Sequence, residues 1–253
     1  NCITGLVAAN VAAEGIRSGR IRAAIVGGSE SMSTPTLTFP RRGEEFFIRL
    51  SRARSFQERL SLLRRFRPGF LAPQAPSPKE PSTGLTMGQH CELMAQEFRI
   101  SRLDQDGLAL RSHANATEAR AKGVFARQII PVGDIKEDNL IRSDSSADKM
   151  ASLPAVFDRG SKGTISAGNS SALTDGASAV CLMSEDFARA QKLPILGYLE
   201  RIEFASVPPG DGLLMAPALA VPKLLASLGL SLSSVDLFEI HEAFAAQVLC
   251  NIK

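Results

Sequence analysis

ITGLVAANVAAEGIRSGRIRAAIVGG (3–28) carries the decision about fold class. Residues 3–18 place Ala, Leu and Val on nearly every face at helical spacing, the pattern of a helix buried all round, and Gly19 supplies the stop. AAIVGG (23–28) is a short apolar run closed by two glycines, the pattern of a buried strand followed by a tight turn. Helix, strand and glycine turn in this order predict an α/β layered domain.

Downstream, the character changes. From Phe39 to about Lys79 the sequence is Arg-rich and helical, then becomes LAPQAPSPKEPS (71–82), whose four prolines forbid regular helix or sheet. That stretch reads as an insertion. Two helices are expected across 88–121, with Ser101 and Asp104 as a capping box and Gly123 as a stop. GTISAGNSSALTDGASAVCLMSE (163–185) reads as strand, polar glycine loop and a second apolar strand, ASAVCLM. In the loop, Gly168 and Gly176 are expected to permit close backbone approach, and Asn169, Ser170 and Ser171 to supply local hydrogen bonds. A strand near 196–205, a helix near 216–229, a strand at VDLFEI (235–240) and a helix from about Glu242 begin a further α/β unit.

Composition narrows the function classes. The chain has 253 residues, 44% hydrophobic, enough for a sizeable core. No apolar run has the length of a membrane span and no secretion signal is recognisable, so a soluble protein is expected. Cys2, Cys91, Cys181 and Cys250 show no metal or disulfide spacing, which fits a reducing compartment, and no metal site is expected. A net charge of +3 is too small to argue for nucleic acid, but residues 41–67 hold nine Arg and three Glu, a local +6 against −3 elsewhere. Phe56, Leu60 and Leu63 lie there at i, i+4 and i+7, a cationic amphipathic helix. It suits an anionic membrane surface, a partner subunit, the phosphates of a ligand, or simply packing on its own domain.

Cys2 stands directly before the first helix, where unpaired N–H groups and the dipole favour a thiolate. Packing as a small buried hydrophobe is the other reading of a lone cysteine. His241 of HEAFA (241–245) follows an expected strand, and open α/β sheets build sites at strand C-termini.

The surrounding residues resemble the thiolase family. NCITGLVAANVAAEGIRSGRIRAAIVGGSESMS (1–33) resembles its active-site stretch, with Gly27, Gly28, Glu30, Met32 and Ser33 matching a GGxExMS segment. Ketoacyl synthases share a similar cysteine, helix and glycine turn. SAGNSSALTDGASA (166–179) resembles the AGNxSxxxDGA segment, which those synthases lack. The resemblance implies that Cys2 accepts the acyl group, that His241 orients a water stabilising negative charge on the thioester oxygen, and that Ala167, Ser171 and Phe244 contact the pantetheine arm. TGLTMG (83–88) resembles the segment opening the helical part of the loop domain, and its Met87 matches a substrate-lining methionine. Thr86 stands where some biosynthetic members have a histidine, which weighs against short acetoacetyl substrates.

HEAFA, STGLTMG, SRLDQDGLALRSH and IKEDNLIR (135–142) look like the thiolase subunit of the fatty-acid β-oxidation multienzyme complex. The resemblance implies a layered α/β fold of mixed sheets and helices. Residues 1–38 and 163–190 would be a partial N-terminal domain, 39–162 an inserted loop domain, and 191–253 the start of a C-terminal domain. It implies thiolytic cleavage of 3-ketoacyl-CoA, with coenzyme A as substrate and no further cofactor. It also implies a homodimer, a complex with a hydratase/dehydrogenase subunit, peripheral membrane contact through 41–67, and a cytoplasmic or mitochondrial-matrix location. The family's base histidine lies in a GHP motif and its second cysteine in a CxG motif, and neither occurs here. The expectation is therefore a partial chain, short at both ends and of little activity alone. Another condensing enzyme, or a non-catalytic assembly module, are the competing readings.

Overall fold

A computed structural model describes residues 2–253. In chain order the regular elements are α1 (Thr4–Arg17), β1 (Ala23–Glu30), α2 (Arg41–Arg52), α3 (Phe56–Leu63), α4 (Met87–Glu97), α5 (Arg102–Ala121), α6 (Ala147–Ser152), β2 (Gly176–Met183), α7 (Glu185–Ala190), α8 (Ala216–Leu228) and α9 (Ala245–Ile252). β1 and β2 pair as a two-stranded sheet. The chain forms two compact units. One holds residues up to Gly27, Lys79–Leu173 and Ala179–Lys253; the other holds Gly28–Pro78 and Thr174–Ser178.

The larger unit is built on helices with small-residue faces. α4 packs on α9, and α5 packs on both α9 and α6. Cys91 and Ala95 of α4, Ile165 and Ala246 of α9 form the buried cluster, ringed by Ile100, Phe157, Leu214 and Phe244. Close approach is built in at Gly88, where an added Cβ would lie 2.3 Å from the Phe157 ring. The helix ends follow local chemistry. Thr86 and Gln89 make a reciprocal capping box on α4. Ser101 accepts the Asp104 N–H at 3.1 Å while its hydroxyl donates to the Asp104 carboxylate at 2.6 Å, so the acid, one methylene shorter than Glu, bonds the hydroxyl. Gly123, at φ +70°, follows the end of α5.

The smaller unit is an aromatic cluster. Phe46 of α2 is buried with its ring 5.3–5.6 Å from those of Phe47, Phe66 and Phe70. Thr38 and Gln74 exchange two backbone hydrogen bonds and close the segment between them. As expected, 71–82 carries no helix or strand beyond the last residue of a short turn and isolated bridges.

Several expectations are corrected. α1 is not buried all round: Ala12, Ala13 and Gly15 are covered, whereas Leu6 and Val11 are exposed, because the described residues pack against one face only. β1 runs straight through Gly27 and Gly28 without a turn, neither glycine adopting positive φ, and only Val26 is buried. Residues 196–205 and 235–240 form no ladder, and 163–166 contributes one bridge, Ser166 to Ala155. Their apolar character permits a strand, but no neighbouring strand is present among the described residues. The Glu200 carbonyl instead accepts from the Arg17 guanidinium at 2.6 Å.

Candidate active site

The glycine loop at 164–171 is held by carboxylates from two helices. Glu92 of α4, 2% exposed, accepts the Thr164 N–H at 2.5 Å, the Thr164 hydroxyl at 2.7 Å and the Ile165 N–H at 3.0 Å. Asp106 of α5 accepts the Asn169 amide at 2.8 Å and the Arg102 guanidinium at 2.8 Å. Arg102 in turn donates to the Met150 and Leu153 carbonyls. Within the loop, the Asn169 Oδ1 accepts the Ser166 N–H at 2.8 Å, and the Ser170 hydroxyl donates to the Ser166 carbonyl at 2.7 Å. Buried charges are tolerable only with such partners, and here they fix a segment that has no ladder of its own.

This loop also sets the start of α9. The Ser171 N–H donates to the Ala243 carbonyl at 2.9 Å and Ser170 bridges Phe244, so Phe244 is extended, at φ −143° and ψ 137°. The helix therefore begins at Ala245, three residues after the expected Glu242. His241 precedes it on an irregular segment, where a strand end was expected.

Together these elements frame a cavity of about 610 Å³. Its lining includes Ser112 and His113 of α5, Arg142, Asp144, Lys149, Ala167 through Ala172, His241 and Glu242. Gly168 is essential to the packing here: an added Cβ would lie 2.6 Å from the Met150 sulfur and 2.7 Å from a Leu153 methyl. Gly176, by contrast, has nothing within 4 Å, so the expected close approach there does not occur. Lys149 bonds the Asp144 carboxylate at 2.7 Å and, by that bond first, holds its pKa below the ordinary value. The Arg142 N–H donates to His113 Nδ1 at 3.3 Å, which makes Nδ1 an acceptor and leaves Nε2 to carry a proton. Cationic Arg142 and Lys149 beside two histidines suit an anionic, hydrogen-bonding ligand.

Of the six sequence-identified site residues, Ala167, Ser171 and His241 meet on this cavity. Phe244 is tied to it through the Ser170 bridge and stacks edge-on against Phe157 at 5.7 Å. Met87 is the first residue of α4 and is partly exposed. Cys2 is exposed just ahead of α1, whose N-cap residue Ile3 makes no side-chain cap, and it does not line the cavity. Cys91 and Cys250 are the buried thiols: burial pushes Cys91 far up and Cys250 up to about 11, so both stay protonated. His113, Arg142 and Lys149 were missed as site residues. Their local signals were that His113 closes SRLDQDGLALRSH, that Arg142 closes IKEDNLIR, and that Lys149 lies on α6 behind the Ser146 cap.

Two motifs also meet in the smaller unit. The Ser33 N–H donates to Asp175 at 2.8 Å and the Ser33 hydroxyl donates to the same carboxylate, which joins the GGSESMS and LTDGA segments. The hydroxyl bond first, and then the backbone bond, lower the Asp175 pKa.

Residues 1–186 match the N-terminal domain of thiolase and 193–253 match its C-terminal domain. The chain belongs to the thiolase family. It is 40% identical to the 3-ketoacyl-CoA thiolase of Pseudoalteromonas translucida and 42% identical to that of Yersinia pestis, each over 258 aligned residues that include all of this chain. The chain spans 59% of the length of these curated relatives. Among solved structures, the Acat5 thiolase of Ascaris suum in complex with coenzyme A matches with a TM-score of 0.80 at 28% identity, covering 99% of this chain and 61% of that one. The dimeric peroxisomal thiolase of Saccharomyces cerevisiae matches with a TM-score of 0.73 at 30% identity, covering 99% and 58%. The thiolase-like α/β fold is thus shown, over part of its usual length.

Proposed function

We propose that this chain carries part of the active site of a 3-ketoacyl-CoA thiolase acting in fatty-acid β-oxidation. The observation that carries the reading is the convergence of Ala167, Ser171 and His241 on one cavity in a chain of this family. In the proposed reaction the Cys2 thiolate attacks the 3-keto carbon, and the bond between carbons 2 and 3 breaks. The acyl group stays on sulfur, and the electron pair leaves as the enolate of acetyl-CoA. That enolate takes a proton, and the thiol of a second coenzyme A then displaces the acyl group, regenerating Cys2. His241, exposed on the cavity wall, anchors the polar environment in which the thioester oxygen bears negative charge. Ala167, Ser171 and Phe244 lie along the pantetheine arm, and Met87 contributes to the acyl side.

The dimeric yeast thiolase supports a homodimer for the whole protein. Pairing with a hydratase/dehydrogenase subunit rests on the sequence resemblance. The deciding experiment uses protein of full thiolase length. After exposure to a 3-ketoacyl-CoA, mass spectrometry should find the acyl group on Cys2, and Cys2→Ser should remove both the adduct and turnover. Acylation at another cysteine with Cys2 unmodified would overturn the assignment.

A further inference from the structure

α4 begins with Met87, which stands at the open end of an otherwise covered helix face. Gly88, His90, Cys91, Glu92, Met94 and Ala95 are buried. At about 100° per residue Met87 falls between His90 and Cys91 on the helix circumference, yet it is 38% exposed. Part of its side chain therefore faces free space.

The chain leading into α4 borders that space on the His90 side. Lys79 and Thr86 pair as an antiparallel bridge, the Glu80 N–H donates to the Leu85 carbonyl at 2.8 Å, and the Gly84 N–H donates to the Glu80 carbonyl at 2.8 Å. Gly84 takes φ +70°, which closes the turn. The Glu80 carboxylate accepts the Ser82 N–H at 2.8 Å and the Ser82 hydroxyl at 2.6 Å. The turn is thus ordered from within. Its tip is tied to the helix through Thr83, whose Oγ1 lies 2.8 Å from Nε2 of His90. The same oxygen accepts the Leu85 N–H at 3.3 Å, so one hydroxyl serves both the turn and the imidazole.

His90 is 4% exposed, and an imidazole so buried is tolerated where a partner satisfies it. Leu85 and His90 occupy the two positions, before the N-cap and fourth in the helix, where many helices place a pair of apolar residues. An apolar side chain at 90 would pack against several placements of the turn. A hydrogen bond selects one, because it weakens steeply with distance and angle.

We propose that His90 is a positioning residue that sets the acyl chain length accepted beside Met87. Through Thr83 it holds the 79–86 turn against the first turn of α4, and the turn limits the space into which an acyl chain extends past Met87. In the proposed function, on which this assignment rests, Met87 contributes to the acyl side. Methionine is flexible and fits chains of different shape, so the limit comes from the turn beside it.

The test uses protein of full thiolase length with 3-ketohexanoyl-CoA and 3-ketohexadecanoyl-CoA. His90→Ala and Thr83→Val cut the bond from either side, and Val keeps nearly the shape of Thr. Each should raise the ratio of kcat/KM for the longer over the shorter substrate at least roughly tenfold, the size of one or a few methylene contacts in an apolar pocket. The change should be carried by KM for the longer substrate. His90→Gln offers Thr83 an amide that can donate or accept, and should restore the parent ratio. If neither substrate acylates Cys2 in the parent, the proposed function fails and the role of His90 falls with it. If Cys2 is acylated and both bond-cutting variants keep the parent ratio, the role of His90 alone is overturned. An equal loss of kcat/KM for the two substrates that Gln does not rescue would show that His90 only supports the fold, and would overturn it too.

Discussion

The loop at 164–171 and the α1–β1 segment both carry motifs of this family, yet they are ordered in opposite ways. The loop has almost no regular structure, but buried Glu92 and Asp106 reach it from α4 and α5 and take its donors one by one. The α1–β1 segment is regular and apolar, yet Ile25 is 82% and Val11 64% exposed. An irregular functional loop is thus fixed by specific polar partners, while regular elements are covered only as far as neighbouring layers extend. The loop's support lies within this chain, and it brings Ala167, Ser171 and His241 to one cavity.

The sharpest way to break that contrast is to remove the clamp. Glu92→Leu would leave three donors, the Thr164 N–H and hydroxyl and the Ile165 N–H, without their acceptor, at a cost of about 3–5 kcal/mol. Glu92→Gln keeps one carboxyl-like oxygen and should cost about half as much. Urea denaturation measures both, and amide exchange at 166–171 should accelerate in the Leu variant. A Glu92→Leu protein as stable as the parent would mean that packing alone, without the carboxylate, orders the loop.

Next in size is His241→Ala in protein of full thiolase length. His241 is exposed and lines the cavity, so its loss should slow turnover roughly 100-fold to 1000-fold, with stability changed by less than about 0.5 kcal/mol. Alkylation of Cys2 by iodoacetamide should keep its pH dependence, because His241 serves the substrate oxygen in the proposed reaction. A variant whose Cys2 reacts only near pH ~8–9, as an unassisted thiol does, would show that His241 activates the nucleophile.

Legibility in the sequence followed the same division. Helices announced themselves through local chemistry: Ser101 with Asp104 as a cap, Gly123 as a left-handed stop, and the apolar run of α8 near 216–229; the Thr86 cap and the Gly229 stop were not anticipated. Strands did so only in part: AAIVGG and ASAVCLM pair as β1 and β2, whereas VDLFEI and the 196–205 run record only a preference that a neighbouring strand must realise. The glycine pair at 27–28 misled for a related reason. Glycine permits a turn without requiring one, and β1 uses both residues in extended form. At the site, the HEAF and AGNSS motifs identified three residues of one cavity. His113 and Arg142 close two quoted motifs, but their shared cavity was illegible because only the packing of α5 against the 140–145 segment brings them together.

The smallest expected effect tests the other half of the comparison, within α1 itself. Gly15 lies on the covered face, where an added Cβ would approach the Ile21 side chain to 3.1 Å. Gly15→Leu should therefore cost about 1–2 kcal/mol, overpacking offsetting the gain in helix propensity. Val11 lies on the open face, and Ser has nearly the same helix propensity as Val, so Val11→Ser in this chain should change stability by less than about 0.5 kcal/mol. Paired urea titrations of the two variants separate the faces. If Val11→Ser cost as much as Gly15→Leu, the open face would have to be covered in solution, and the reading of α1 as a helix buried all round would be restored.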